Sequence, residues 1–194
     1  KGGDRDYFYY PLIVPDNKSN KTLPTSPTVL LFDGQGTQKV GMMQEMVQKY
    51  GFATDIFNKA NDILGYDLLD VCKNGPDDKI QQTLYAQPAV YVSSWIAFTH
   101  LQREKPELFS KDKSLHIAGF SLGEITALAA ANIFTWEDGL RIVKERAEAM
   151  QQVSPTTPGG MCTVVGLDDG AIDTLCKKWK ESHPNSVLGI ANYL

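Results

Sequence analysis

Two short apolar runs, each followed by a glycine, are the clearest strand candidates in the chain. Residues 28–32 lead through Val, Leu and Phe to Gly34, and residues 115–118 lead to Gly119. Continuous apolar runs of this length are typical of buried strands in a parallel sheet. Elsewhere apolar residues recur at helical spacing, with Pro88 tolerated in a first turn. This spacing predicts helices over residues 40–50, 53–64, 77–84, 87–102, 123–133 and 136–152.

A break rich in proline and glycine at residues 154–160 separates this pattern from a second one. After the break the sequence predicts a strand over 161–167, a helix over 169–181 and a strand over 187–193. These three elements form a β-α-β unit, which is half of a small second subdomain.

The chain is therefore divided into three parts. Residues 1–27 combine aromatic residues with a polar tract and four prolines, and we predict an N-terminal extension there. Residues 28–154 form a large α/β subdomain, and residues 155–194 begin a small one. Because a predicted strand runs up to the last residues, we expect the full protein to continue.

Composition excludes several classes of protein. Hydrophobic residues make up 42% of the chain and charged residues 22%, which argues against disorder and coiled coil. No apolar run reaches the roughly 18 residues of a transmembrane helix, and a net charge of −4 argues against nucleic-acid binding. Three scattered cysteines argue against a disulfide framework and a zinc site, and fit a reducing compartment.

Residues 119–123 match the motif G-x-S-x-G between a predicted strand and a predicted helix. The motif places a serine on a sharp turn, and its glycines let the strand and the helix approach closely. The next backbone N–H, that of Leu122, lies at a helix N-terminus, where it can donate to an oxyanion. The pattern predicts a nucleophile at Ser121. The alternative is a helix-capping serine beside a tight turn.

Five segments resemble, in the same order, motifs of the malonyl-CoA:acyl carrier protein transacylases, above all the animal mitochondrial members. They read F-D-G-Q-G-T-Q at 32–38, Y-A-Q-P-A at 85–89, A-G-F-S-L-G-E at 118–124, R-A-E-A-M-Q at 146–151 and G-I-A-N-Y at 189–193.

The resemblance implies an α/β-hydrolase-like large subdomain with a parallel sheet and part of a small ferredoxin-like subdomain. It implies a ping-pong acyltransferase of fatty acid synthesis, which moves malonyl from coenzyme A to the phosphopantetheine thiol of acyl carrier protein. The substrate is then a coenzyme A thioester and the partner is acyl carrier protein, with no cofactor and no metal. The implied compartment is the mitochondrial matrix, although no targeting segment is visible in the sequence.

The resemblance also assigns the catalytic residues. Ser121 would carry the malonyl ester, and the backbone N–H groups of Gln35 and Leu122 would form the oxyanion hole. The glycines at 34 and 36 suit a tight loop that brings the Gln35 amide to the reacting carbonyl. Without the resemblance, Gly-Gln-Gly is an ordinary turn after a strand.

Three further residues would bind the substrate. Arg146 would pair its planar guanidinium with the free carboxylate of malonyl and select against acetyl; the alternative is a solvated charge on an amphipathic helix. Gln87 would line the pocket near the serine, and Asn192 would face the cleft from a strand of the small subdomain. Alternatively, both are polar residues at the ends of their elements. Met150 and Gln151 are expected in the core and at the rim.

Three features depart from the family pattern. Asp33 replaces a proline, and its charge beside the oxyanion loop is expected to weaken anion binding. Phe120 replaces a histidine that is not the base, and can only pack. The general base itself is expected beyond position 194, so the chain alone should turn over little. The histidines present are poor substitutes, because they are predicted in a buried strand (His116) or at the surface (His100 and His183).

Two other functions remain open at this stage. A chain derived from a transacylase could act as a structural or assembly subunit of a larger complex, as Asp33 and the missing base suggest. A general esterase or lipase uses the same strand–turn–helix around a serine, the nucleophile elbow, which here is residues 119–123. The Arg146 cation disfavours neutral acyl groups. A histidine later in the full sequence would favour the transferase.

Overall fold

A computed structural model describes residues 28–110, 115–153 and 159–193 of the 194-residue chain. The predicted extension at 1–27 and most of the predicted break at 154–160 lie outside the described residues.

Within these ranges the chain forms two β-strands, eight α-helices and one short 3-10 helix. In order they are β1 (Thr28–Phe32), α1 (Gln44–Lys49), α2 (Gly51–Leu64), α3 (Leu68–Asn74), α4 (Asp77–Ile80), α5 (Thr83–Glu104), the 3-10 helix (Pro106–Phe109), β2 (Leu115–Gly119), α6 (Leu122–Ala130), α7 (Trp136–Val153) and α8 (Asp169–Ser182).

Strands β1 and β2 pair in parallel, with Thr28 opposite Leu115 and Phe32 opposite Gly119. A parallel pair requires a long crossover, which here contains the helices α1–α5. Both strands therefore end at the same edge of the sheet, and the loops that follow Phe32 and Gly119 leave it side by side. The architecture is α/β with a parallel sheet, as predicted.

The strands bury one face within the described residues. Leu30 and Phe32 are buried, and the Phe32 ring packs edge-on against Phe98 of α5. Val29 and Leu31, on the other face, are 43% and 49% exposed. The prediction of a buried strand thus holds for one face only, because a continuous apolar run shows that both faces are apolar and not that both are covered.

Helix α5 is the centre of the larger compact unit, Lys1–Thr157. It fully buries Tyr91 and Ile96, and the helices α2, α3, α4, α6 and α7 pack around it, as expected for a helix that is apolar all round. Although α5 has 22 residues, neither it nor any other helix in the described part of the chain has both the length and the apolarity to cross a membrane.

The start of α5 differs from the prediction. The helix begins at Thr83, so Pro88 lies inside it and not in its first turn. Proline has no N–H, so the Leu84 carbonyl loses its helical donor. The hydroxyl of Tyr66 donates to that carbonyl at 3.3 Å instead. Burial raises the pKa of Tyr66 well above its ordinary value, so this hydroxyl stays protonated.

Helix α3 was not predicted, and helices α1 and α4 are shorter than predicted. Helix α3 follows Asp67, whose carboxylate accepts the backbone N–H of Asp70 at 3.0 Å, and it buries Leu68, Val71 and Cys72. This i, i+3, i+4 spacing after a capping residue is a helix signal, but it covers only two turns. Helix α1 starts late because Met43 before it has a left-handed φ of 65°.

The smaller compact unit, Pro158–Leu194, contains one helix among its described residues. This helix, α8, matches the predicted one closely, and the Asp168 carboxylate caps it by accepting the Ala171 N–H at 2.9 Å. The strands predicted over 161–167 and 187–193 are not found in the described part of this unit. An extended segment becomes a strand only when a second backbone pairs with it, and apolar composition does not provide that partner.

Candidate active site

Ser121 occupies a strained turn between β2 and α6. Its φ of 52° and ψ of −105° lie outside the regions that residues with side chains ordinarily adopt, which costs about 1–3 kcal/mol. Close packing of two glycines makes this turn possible. A Cβ on Gly119 would overlap the carbonyl oxygen of Gly123, and a Cβ on Gly123 would overlap that of Phe32. The Ser121 N–H donates to the Glu124 carboxylate at 3.0 Å. The structure therefore contains the sharp strand-to-helix turn that the motif predicts.

The side chain of Arg146 connects Ser121 to the centre of the core. Its Nη2 donates to Ser121 Oγ at 3.0 Å, and its Nη1 donates to Gln87 Oε1 at 2.6 Å. Gln87 is fully buried in α5, and its Nε2 donates onward to Gln35 Oε1 at 3.2 Å. Four of the six residues predicted for the site thus lie on one hydrogen-bonded chain.

The charge of Arg146 is not balanced by a carboxylate among the described residues. The ion pairs found there all involve other residues: Lys59–Glu137, Arg141–Asp138 and Lys177–Asp173. Both acceptors of the Arg146 guanidinium are uncharged, one a hydroxyl and the other an amide oxygen. A guanidinium binds best to an anion that matches its planar fork. The arrangement therefore offers a place for an anion directly beside the Ser121 hydroxyl.

Two backbone N–H groups near the elbow have no acceptor in the described part of the chain, those of Gln35 and Leu122. Leu122 is the first residue of α6, where a helix leaves its N–H groups unpaired and its dipole favours negative charge. The Gln35 loop packs against the elbow, since a Cβ on Gly34 would lie 2.9 Å from the Phe120 carbonyl oxygen. Both N–H groups are therefore available to donate to a ligand.

Two residues that the sequence placed in the core and at the rim also contact this chain of hydrogen bonds. Met150 is 46% exposed, so the core prediction is wrong, and its sulfur accepts from Gln87 Nε2 at 3.2 Å. Gln151 Oε1 accepts the Leu84 N–H at 3.4 Å. The sequence spacing could have indicated the contact of Met150 with this chain of hydrogen bonds, because Met150 follows Arg146 by four residues and so lies on the same face of α7.

Asp33 and Phe120, the two residues next to the site that depart from the family pattern, are both at the surface. Asp33 is exposed as a residue, but partial burial of its carboxyl raises the pKa above the ordinary value. Burial thus disfavours a negative charge at this position. Phe120 is 50% exposed, and its ring lies against Gly34, which agrees with a residue that can only pack.

The histidines lie away from their predicted surroundings in two cases. His116 is exposed on β2, and not in the core, because it faces away from the buried side of the sheet. His100 is half-buried, and not exposed, because its ring packs on Tyr50 with centroids 4.6 Å apart. His183 is exposed as predicted, and it stacks on Trp179 in the smaller unit.

Asn192 lies in the smaller unit, exposed and outside any helix or strand, so its predicted place on a strand is not found. Among the described residues, no three His, Cys, Asp or Glu side chains lie close enough together to hold a metal ion.

The chain is similar to known acyltransferases in sequence. The acyl transferase domain family matches residues 29–192. A probable mitochondrial malonyl-CoA-acyl carrier protein transacylase from Drosophila melanogaster is 39% identical over 176 residues, which are 88% of this chain and 46% of that protein. The chain thus spans about half the length of the curated relatives it matches.

Solved structures of similar fold belong to the same kind of enzyme as the sequence relatives. MCAT from Mycobacterium tuberculosis superposes with a TM-score of 0.70 at 29% identity, over 77% of this chain and 48% of that one. A malonyl-transacylase in complex with its type II PKS acyl-carrier protein has a TM-score of 0.66 at 31% identity, over 79% of this chain and 48% of that one. These matches confirm the resemblance carried by the five motifs. The chain belongs to the acyl transferase domain family, and within it is similar to the malonyl-CoA:acyl carrier protein transacylases.

Proposed function

We propose that this protein transfers malonyl from coenzyme A to acyl carrier protein through an ester on Ser121. The observation that carries the proposal is the Arg146 guanidinium, which lies 3.0 Å from Ser121 Oγ and has no carboxylate partner in the described ranges. A fixed cation beside a nucleophile suits an acyl group that ends in a carboxylate. The similarity to malonyl transacylases favours malonyl among such groups.

The proposed chemistry has two half-reactions. The Ser121 oxygen attacks the thioester carbonyl, the carbon–sulfur bond breaks, and coenzyme A leaves as the thiol, taking up the proton that the serine gave to the base. The carrier thiol then attacks the ester, and the Ser121 oxygen leaves and regains a proton. In both steps negative charge develops on the carbonyl oxygen, where the N–H groups of Gln35 and Leu122 would donate. By resemblance the base is a histidine beyond position 194.

Arg146 would provide the selectivity. Its bond to the fully buried Gln87 holds the guanidinium in place before substrate arrives, so little freedom is lost on binding. Malonyl would pair with it, whereas acetyl leaves the charge without an anion. The same mismatch disfavours a general esterase, and no observation within the described residues favours a purely structural subunit. The role of Asn192 in binding substrate is carried over from the resemblance alone.

Acyl carrier protein is the proposed partner, since a structurally similar malonyl-transacylase was solved with its own carrier protein. A mitochondrial location is proposed from the Drosophila relative, whose name includes it, with the matrix as the proposed compartment. The transfer exchanges a thioester for an ester and back, which involves no redox step, so we propose neither a cofactor nor a metal.

The test is acylation of the full-length protein by malonyl-CoA, followed by intact mass spectrometry and peptide mapping. We expect one adduct of malonyl mass on Ser121. Ser121→Ala should remove it and reduce turnover by a factor on the order of 10⁶. Ser110→Ala, an exposed serine whose hydroxyl bonds to the Glu107 carbonyl, is the control and should load normally. Absence of the adduct from the wild type, or its persistence in Ser121→Ala, would refute the proposal.

A further inference from the structure

We propose that Gln38 is a positioning residue for the oxyanion donor at Gln35, an inference that rests on the proposed function. Gln38 is only 6% exposed, and buried polar side chains are normally held by hydrogen bonds. Its Oε1 accepts the backbone N–H of Gly36 at 2.8 Å, and its Nε2 donates to Gln81 Oε1 at 2.7 Å. Both ends of the amide are therefore used, one on the loop and the other on a distant helix end.

The Gly36 N–H is the immediate neighbour of the donor that the reaction needs. Gly36 has a φ of 122°, a conformation that side chains rarely adopt, so the backbone turns sharply here. By accepting the Gly36 N–H, Gln38 fixes the peptide group that follows Gln35. The Gln35 N–H is left without an acceptor in the described part of the chain. A donor that is fixed in advance stabilises an oxyanion without having to reorganise.

The far end of the Gln38 amide is anchored at the junction of α4 and α5. Gln81 follows α4, and its own Nε2 donates back to Asp77 Oδ1 at 3.3 Å. A second tie starts from Gln35, whose Nε2 donates to Thr83 Oγ1 at 3.2 Å. The loop is thus attached to this junction on both sides of Gly36, so loss of the Gln38 tie frees one side only.

The test is single-turnover acylation of the full-length protein by malonyl-CoA, which separates the rate constant from the amplitude. Gln38→Leu keeps the bulk and removes both hydrogen bonds. We expect the acylation rate constant to fall about 10²-fold, with full amplitude and unchanged preference for malonyl over acetyl. Gln81→Leu removes only the anchor, at an exposed position, and should give a smaller fall in the same direction. Gln82→Leu, an exposed neighbour bonded to the Asp78 carbonyl, is the matched control and should behave as the wild type.

An unchanged rate constant in Gln38→Leu would overturn the inference, and so would reduced amplitude at an unchanged rate, which reports misfolding alone. Amide hydrogen exchange at Gly36, measured without substrate, is independent of activity. It should be slow in the wild type and fast in Gln38→Leu. If the wild type forms no malonyl ester, the proposed function fails. Equal exchange at Gly36 in the two proteins would refute the role of Gln38 whatever the activity.

Discussion

The two loops at the carboxyl edge of the sheet are built in different ways. They follow the paired residues Phe32 and Gly119, and next to each lies a backbone N–H with no acceptor among the described residues, that of Gln35 or of Leu122. The elbow after β2 is held by backbone contact, with Gly123 pressed against the Phe32 carbonyl. The loop after β1 is held by side-chain amides, through Gln38 and Gln35.

This difference decides what a sequence can show. The turn of the elbow lies within five consecutive residues, and the glycine that contacts the Phe32 carbonyl is one of them, so the motif predicts the geometry. The loop depends on hydrogen bonds that span 43 and 52 residues, from Gln38 to Gln81 and from Gln87 to Gln35. A Gly-Gln-Gly turn carries no local sign of these partners. Ser121 could therefore be predicted from its own neighbours, whereas the role of Gln35 needed the family resemblance.

The largest effect on stability is expected at the elbow. Gly123→Ala forces a methyl group into the Phe32 carbonyl, so the cost should reach or exceed the about 1–3 kcal/mol of ordinary overpacking. The measurement is the free energy of unfolding in urea. Gly51→Ala is the control, because nothing lies within 4 Å of the added Cβ at this start of α2, and a gain of about 0.4–1 kcal/mol is expected there. Similar stabilities for the two variants would contradict backbone contact as the basis of the elbow.

A smaller effect on stability is expected at the start of α5, where Thr83 binds the side chain of Gln35 in the loop after β1. Tyr66→Phe removes the donor to the Leu84 carbonyl, which Pro88 leaves without a helical partner. The expected loss is about 0.5–1.5 kcal/mol, read as a lower thermal midpoint. Tyr85→Phe is the control, because the Tyr85 hydroxyl makes no hydrogen bond within the described residues, although its ring packs on Tyr66. Equal losses in both variants would contradict the role given to the Tyr66 hydroxyl, because within the described residues only that hydroxyl has an acceptor to lose and both variants keep the ring.

The smallest effect is expected at Asp33, where the loop leaves β1. Burial raises the pKa of this carboxyl in the folded state, so folding favours its protonated form. The resulting stability is fully present below the unfolded pKa, near the ordinary 3.8, and is lost as the pH rises through the higher folded pKa. Asp33→Asn cannot ionise, so it should be slightly more stable than the wild type at neutral pH.

Urea unfolding at neutral and at acid pH checks this. The advantage of Asp33→Asn should shrink as the pH falls toward the unfolded pKa of the carboxyl. An advantage that stays constant with pH would come from something other than the ionisation of Asp33.

Local patterns predicted most helices and both strands of the larger unit, but not what surrounds them. Helix α7 was predicted to within one residue from its apolar spacing. The start of α5 was missed because Tyr66, 18 residues before Leu84, supplies the hydrogen bond that lets Pro88 lie inside the helix. His116 was predicted in a buried strand because the sequence shows that the run around it is apolar. The sequence does not show whether another element packs on that face of the strand.

The same limit applies to the site. On an amphipathic helix, Arg146 is indistinguishable by spacing from the solvated charges beside it. Only its contacts with Ser121 and Gln87, which lie 25 and 59 residues away, set it apart. Such contacts depend on how α5, α6 and α7 pack, which a local pattern does not encode.

Arg146 is proposed to select the acyl group by binding the carboxylate of the malonyl that Ser121 carries. The most direct test compares kcat/KM of the full-length protein for malonyl-CoA and for acetyl-CoA in Arg146→Ala. Loss of charged hydrogen bonds worth about 1.5–3 kcal/mol should lower the malonyl value roughly 10- to 150-fold. The acetyl value should not fall, and it should rise to the extent that the unpaired charge disfavours acetyl in the wild type. Arg141→Ala, on the same helix, paired with Asp138 and 58% exposed, should alter neither. An Arg146→Ala protein that keeps the wild-type preference for malonyl would contradict the account.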